Sequence, residues 1–448
     1  MKHILILSIL FFSTHLFAAE GDLASELGDE PVIAAVDDLG PEGAGFFAET
    51  DFGPDEGGFV ESRILRNFVE SRGLIECREK SGQLTLAGDV RARWICAGEK
   101  VDGDSVRGAK GDAAANLFKS EVNLFLDYAT PQAWVTTKLR WTSIEGRDGG
   151  TISKVNVDRA FIGYDIYHCG KEDFYIEIGR SNLAYMFESQ VEFSSEFSGI
   201  HLYYTKCFPV VGNFVIHGGP FVMDSLHNNY CWVVEAGIKK WYGTGFGAKY
   251  SIIDWRRRTA TSYFGGNHKD IDPDELYENN PRYRFLVSQM LFVYEKPIDF
   301  CGCKTFFGYA AVLVNSAAKK HEITNDKKLN GAWYVGFTLG KLCKAYDWSI
   351  DINYQSVQLQ AVPEFDLAGI GHGNAANAFF SDLLIAQSGP GNALGFTNYK
   401  GVQASLLYAM TNSLSLRMRF VTTTPLNRDI IEKQFRFKSS DMSVIYAF

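Results

Sequence analysis

Basic residues recur in this sequence in pairs spaced by two: Arg91 and Arg93, Lys138 and Arg140, Arg417 and Arg419. On an extended strand that spacing puts both members of a pair on one face. Val90 and Trp94 lie on the opposite face of the first pair, and Leu139 and Trp141 on the opposite face of the second. A complementary set is carboxylic. The stretch Phe187-Glu-Ser-Gln-Val-Glu-Phe-Ser-Ser-Glu196 carries Glu188, Glu192 and Glu196 and no cation. Cations facing carboxylates across a narrow space would set up a transverse field, which acts on passing ions by ordinary Coulomb interaction. The alternative is that the carboxylates sit in solvent and the arginines pair with Asp89, Glu121, Asp127 and Glu177.

Catalytic constellations are missing from the sequence. It holds no HExxH, no GxSxG and no P-loop, and Gly243-Thr-Gly-Phe-Gly247 joins two strand-like segments instead of opening a helix. His168, His201 and His217 are isolated on such segments and read as polar lining; a hydrolase site built on one of them would be visible only in a structure. Cys301 and Cys303 form the one close cysteine pair, with no second Cys/His pair at ligand spacing nearby. The expectation is a protein without catalytic residues, metal or cofactor. Net charge is −9 with pI ≈ 5.6, and no strongly basic block occurs, which argues against nucleic acid as a partner.

The elements that must hold the charged pairs follow from periodicity. From residue 84 onward the sequence alternates apolar and polar residues, as in Trp348-Ser-Ile-Asp-Ile-Asn-Tyr354 and Leu414-Ser-Leu-Arg-Met-Arg-Phe420. Sixteen such segments, each about ten residues long, run from 84–96 to 435–448, a length that suits a tilted strand crossing a bilayer. Connections after even-numbered segments are short, as at 129–132 and 410–412. Most connections after odd-numbered segments are long: 97–118, 144–154, 186–196, 256–281, 316–330, 359–398 and 423–434. A soluble sandwich has no reason to sort loop length by strand parity, whereas a membrane barrel has short turns at one end and long loops at the other. The expected fold is all-β, one closed antiparallel transmembrane barrel of about sixteen strands over 84–448. A helical membrane bundle is excluded by a mean hydropathy of −0.10 and by the lack of further apolar runs. Closure makes strands fifteen, sixteen, one, two and three neighbours, so the six cations would line one wall. Arg436 and Lys438 would join that wall only if a bulge shifted their parity. Trp94, Trp141, Trp232, Trp333 and Trp348 are expected on the outer face near strand ends.

The termini read differently from the barrel. Residues 1–18 have a short basic start, an apolar run and a small-residue end, the pattern of a signal peptide. Residues 19–60 follow as an acidic segment expected to be disordered, since 20–60 hold twelve carboxylates and no Lys or Arg. Residues 61–83 are a short periplasmic helix and linker. At the other end Val444, Tyr446 and Phe448 alternate, finishing on a C-terminal Phe, which resembles the assembly signal of bacterial outer-membrane barrels. Six of the eight cysteines, Cys77, Cys169, Cys207, Cys301, Cys303 and Cys343, fall on the short-turn side and are candidates for disulfides, with connectivity open.

Asp158-Arg-Ala-Phe-Ile-Gly-Tyr164 followed by Phe174-Tyr-Ile-Glu-Ile-Gly-Arg180 resembles the early hairpin of general and phosphate-selective bacterial porins. The cysteine content and Val191-Glu-Phe-Ser-Ser-Glu-Phe-Ser-Gly-Ile200 are similar to chlamydial-type outer-membrane proteins. The resemblance is architectural and covers roughly 84–448. It implies passive diffusion of small hydrophilic solutes and ions through a water-filled barrel in the bacterial cell outer membrane, with a third outside loop folded inward. Outer-membrane lipid, the β-barrel assembly machinery, a homotrimer and disulfide-linked envelope proteins are the partners it implies. An adhesin or structural envelope protein, and less so a barrel enzyme, are the competing readings.

Overall fold

The computed structural model describes the chain from Ile75 to Phe448, except residues 80–81, 107–115, 148–149, 195, 210, 225–228, 257–284, 301–302, 321–323, 364–365, 372–374, 377–392, 396 and 431–433. The signal-peptide and acidic-segment expectations and residues 61–74 of the 61–83 helix and linker lie outside the described residues, while Ile75–Glu79 of that linker is a strand.

Sixteen antiparallel strands form the wall. They are β1 (Gly82–Val101), β2 (Asn116–Ala129), β3 (Ala133–Arg147), β4 (Gly150–Cys169), β5 (Glu172–Asn182), β6 (Glu196–Phe208), β7 (Gly212–Asp224) and β8 (Asn229–Trp241). The second half comprises β9 (Phe246–Arg256), β10 (Phe285–Phe300), β11 (Cys303–Asn315), β12 (Gly331–Gly340), β13 (Trp348–Val357), β14 (Tyr399–Ala409), β15 (Leu414–Pro425) and β16 (Phe435–Ala447). Each strand pairs with the next, and β16 pairs with β1 from Asp89↔Ala447 to Val101↔Phe435, which closes the cylinder. Closure is completed by two reciprocal 2.9 Å bonds, Gly88 N–H to Phe448 O and Phe448 N–H to Gly88 O. Closure removes the free sheet edge around the barrel, the condition for crossing lipid. Short strands are added at the margins: Ile75–Glu79 and Asp104–Val106 both pair with β1, and Ala375–Ala376 pairs with Ala393–Gly395.

The strands form because their side chains alternate between two environments. On the outer face Val90, Trp94, Ile162, Ile178, Phe292 and Val312 are exposed, while on the inner face Asp89, Arg91, Asn123, Gln289, Asn353 and Ser443 are buried. This is the inverse of a soluble barrel, whose apolar residues would point in. Trp94, Trp232 and Trp333 are exposed on the outer face. Trp141 shares it by pairing with exposed Val155, and Trp348 by its parity with exposed Ile352. No helix among the described residues is long and apolar enough to cross a membrane.

Two expectations are corrected. The connection placed at 144–154 is mostly strand: β3 runs to Arg147 and β4 starts at Gly150. The alternation in Thr151-Ile-Ser-Lys-Val-Asn-Val157 simply continues the ladder above the expected end. Arg436 and Lys438 do not join the basic wall. The register of β16 against β15 and β1 is unbroken, and both residues are exposed with the outward parity of Val444 and Tyr446.

Candidate functional site inside the barrel

The six expected cations all face the interior on contiguous strands. Arg91 and Arg93 come from β1, Lys138 and Arg140 from β3, and Arg417 and Arg419 from β15; Arg91, Arg93, Lys138, Arg417 and Arg419 are buried. Each has partners. Arg91 Nε is 2.6 Å from Asp89 Oδ1 and its Nη1 is 3.6 Å from Glu121 Oε1. Arg93 holds Asp441 of β16 at 2.6 Å. Lys138 Nζ and Arg140 Nε lie 3.0 and 3.2 Å from the Asp158 carboxylate. Arg419 Nε donates to Gln403 Oε1 at 3.0 Å. Among the described side chains, and counting Lys119 of β2, the inward faces of β15, β16 and β1 to β3 present seven cations. Against them stand four carboxylates on the same strands, Asp89, Glu121, Asp127 and Asp441, and a fifth, Asp158, on β4. The wall is a mixed-charge lining with a small positive surplus.

Asp158 reaches the interior through a register shift in which Lys138 pairs with Arg159 and Leu139 with Val157. The extra residue breaks strict alternation, so period-two reading could not place it. Asp441 and Asp89 follow normal parity and were legible.

The segment Leu183–Ser194, between β5 and β6, turns into the barrel. β5 leaves β4 after the Ala160↔Arg180 pair; at the preceding Gly179 the φ of +145° and the position of a Cβ, which would lie 2.3 Å from Ala160 O, leave no room for another residue. Asn182 caps the short turn that follows, accepting from Ala184 N–H at 2.8 Å. Leu183, Phe187, Val191 and Phe193 are then fully buried against inward residues of β6 to β12. Polar side chains tie down the loop backbone: Gln289 of β10 donates to Glu188 O at 2.8 Å, and Gln355 of β13 donates to Gln190 O at 3.3 Å. Parts of a second segment, 358–363 and 366–370, pack beside it. There Ala368 N–H donates to Val191 O at 2.9 Å and Phe193 N–H to the Asp366 carboxylate at 2.9 Å. The two segments fill one side of the interior with apolar packing and leave the basic wall of β15 to β3 facing the other side. The Gly/Ala-rich sequence of 359–398 gave no sign that its start turns inward.

The three loop carboxylates separate. Glu188 lies 3.2 Å from Lys249 of β9 and 3.7 Å from Lys239 of β8, away from the basic wall. Glu192 is fully buried against Trp255, whose indole N–H donates to it at 3.4 Å, and beside Asp366. Burial first, and the neighbouring Asp366 second, push the Glu192 carboxyl well above the usual carboxylate range. Glu196 alone meets the wall, 3.8 Å from Arg140, while also pairing with Arg180.

Sequence reading missed a polar chain beside the loop. Glu177, His201, His217, Glu235 and Lys249 come from five successive strands, β5 to β9, and touch in that order. A signal was present: all five share the inward parity.

No protein-family model matches the chain. No curated protein matches it either. Some solved structures are similar to it at low identity. The OprB structure of Pseudomonas putida at high pH matches with a TM-score of 0.47 and 12% identity, covering 86% of this chain and 96% of that one. Salmonella typhi OmpF in complex with daunomycin matches at 0.46 and 12%, covering 84% and 100%. A triple mutant of the Rhodopseudomonas blastica porin matches at 0.38 and 9%, covering 82% and 100%.

Three of the six cysteines expected to form disulfides are described with their side chains. Cys169 is an exposed free thiol and Cys207 a partly buried one. Cys343 is exposed, with its N–H donating to the Asp347 carboxylate at 2.9 Å. Cys301 lies outside the described residues, as do the side chains of Cys77 and Cys303. Among the described residues no group of three metal-ligating side chains is gathered.

Proposed function

We propose that the chain is an outer-membrane porin that lets small hydrophilic solutes and ions diffuse through its interior. The observation that carries this reading is the inversion of the barrel: sixteen closed strands with apolar side chains outward and charged ones inward, together with a loop folded into the lumen. An inward charged lining has no use in a sealed structural barrel, where desolvating it would cost free energy without return. In this reading Arg91, Arg93, Lys138, Arg140, Arg417 and Arg419 line the water path, and Glu188 and Glu196 set its opposite charge. Val444, Tyr446 and Phe448 serve as the assembly signal, and the exposed turn-side cysteines offer sites for cross-links to envelope partners. A homotrimer is the proposed assembly.

The test is single-channel recording of the refolded full-length chain in planar bilayers. Stable ohmic steps are the expected result. Membranes that stay silent with correctly folded barrel inserted would overturn the porin reading and favour an adhesin or structural envelope protein.

A further inference from the structure

Arg436 and Lys438, which the register turns away from the lumen, are both exposed on the outside of β16. Arg436 stands directly opposite Lys100 of β1, and Lys438 directly opposite Gly98. Lys400 of β14 is exposed on the same face. It lies opposite Thr424 of β15, one position beyond the Thr423↔Phe437 pair of β15 and β16. Lys400, Thr424, Arg436 and Lys100 therefore form one row across four neighbouring strands at the long-loop end, about 15 Å wide at the usual strand spacing. Thr422 and Lys438 pair in the next row toward the turn end.

The row is electrically unbalanced. Like charges directly opposite each other on a ladder repel. Between the row of Trp94 and the long-loop rim, the outward positions of β14 to β16 and β1 carry no carboxylate. Asp102, in the turn that follows β1, accepts the Gln434 N–H at 2.7 Å. Elsewhere at the same rim an outward cation is matched: Arg180 of β5 pairs with Glu196 of β6. Trp94 is exposed on β1 four residues before Gly98, about 13 Å along the strand. It shares its row with Met442 of β16, Met418 of β15 and Phe118 of β2. That row belongs to the apolar band, with an indole of the kind that sits where acyl chains meet head groups. The cations thus stand at head-group level. A Cβ on Gly98 would meet nothing within 4 Å, so the surface beside Lys438 is open.

We infer that Lys100, Lys400, Arg436 and Lys438 form a docking site on the outer wall for the phosphate-bearing head group of a lipid in the leaflet at the long-loop end. A guanidinium holds a phosphate through two parallel N–H groups, and the lysines add point charges. Thr422 and Thr424 bring hydroxyl donors to the same level. The bound phosphate offsets the repulsion between Arg436 and Lys100, and the acyl chains lie along the apolar row of Trp94. The inference rests on the reading of the barrel as a membrane-spanning wall with its long loops outside; it does not need the barrel to conduct.

Native mass spectrometry of the full-length protein in detergent reads the site directly. Diphosphoryl lipid A is titrated against phosphatidylcholine in wild type, the double variant Arg436→Gln, Lys438→Gln, the single variants Gly98→Glu and Gly98→Gln, and the turn-end control Lys206→Gln. Wild type, Gly98→Gln and Lys206→Gln should all prefer diphosphoryl lipid A. The double variant should bind it about thirtyfold more weakly, from roughly fivefold per cation at an anionic lipid surface. Gly98→Glu sets a carboxylate opposite Lys438 without removing a cation and should lose about fivefold. Gly98→Gln has the same bulk without the charge, so this pair keeps the test alive should the double variant fail to fold. Equal binding by all five proteins, or no preference between the two lipids in wild type, overturns the site. Inorganic phosphate that displaces the lipid at equal concentration would assign the patch to free phosphate and overturn it as well. So would protein dimers in place of lipid adducts, lost in Gly98→Glu, which would assign the face to a second copy. Conductance is recorded on the same preparations. A protein that binds the lipid at the Gly98-sensitive site but never conducts keeps this inference and loses the porin reading, whereas ohmic channels without the lipid preference do the reverse.

Discussion

The double substitution Arg417→Ser, Arg419→Ser tests whether the basic wall sets ion selectivity. Both side chains are buried on the inward face of β15, and Arg419 and Arg417 pair across the ladder with Asp441 and Ser443 of β16. Their removal leaves Asp441 with Arg93 at 2.6 Å, so no buried charge is stranded. An ion in the water path about 6 Å from an arginine feels roughly 0.7 kcal/mol in a medium as polar as water. Screening at about 0.1 M salt reduces this to roughly 0.4 kcal/mol. Two charges acting with opposite sign on an anion and a cation then change their permeability ratio by roughly tenfold at about 0.1 M, but only about twofold at 1 M. The surplus of cations over carboxylates is small, so the wild type should prefer anions weakly and the variant should prefer cations. The assay is the reversal potential of the bilayer-inserted protein in a KCl gradient. An unchanged reversal potential at low salt would mean that ions pass elsewhere and that the wall is structural.

Further expectations concern the loop, the seam and the turn end. At neutral pH, Glu188→Gln and Glu196→Gln should each shift selectivity toward anions, measured by the same reversal potential. Glu192→Gln should move it least, because that carboxyl is buried against Trp255 and away from the basic wall. Gly88→Val should weaken closure by about 1–3 kcal/mol through overpacking, seen as a lower unfolding midpoint in urea. Its Cβ would lie 2.6 Å from Phe448 Cζ and 2.8 Å from Asn123 O. A maleimide reagent should label Cys169 in the folded protein and spare Cys231, which is buried in the interior; equal labelling of the two, read by mass spectrometry, would show that the loop side of the lumen is not packed as described.

Strand count, closure and facing were legible in the sequence because the outer surface leaves little choice. A residue such as Trp94 or Ile162 must be apolar where Arg93 or Phe161, one position away, need not be, and that asymmetry repeats strand after strand. The parity rule even decided against Arg436 and Lys438, whose register admits no bulge. It failed where a bulge is present, at Asp158, since one inserted residue inverts the pattern without changing composition. It also failed at strand ends such as 150–154, where alternation continues past the expected rim.

Pairing across strands was beyond reach for another reason. The sequence offers Glu188 several cations, and only the three-dimensional path of the loop chooses Lys249 over Arg140. That path is decided by apolar packing: Leu183, Phe187, Val191 and Phe193 need a dry surface, and β6 to β12 provide it with Phe221, Val233, Ile253, Leu291 and Tyr334. The basic wall presents mostly charged side chains, and the loop packs on the other side, against the histidine pair. The same choice thus places the Phe187 ring flat on His217, and Phe187→Leu tests which contact holds the loop. It keeps the apolar burial, so the loop should stay docked, with the hydrogen exchange of residues 183–194 unchanged from wild type. A loop already exposed at neutral pH in that variant would show that the stacked ring, and not the apolar packing, holds it in place.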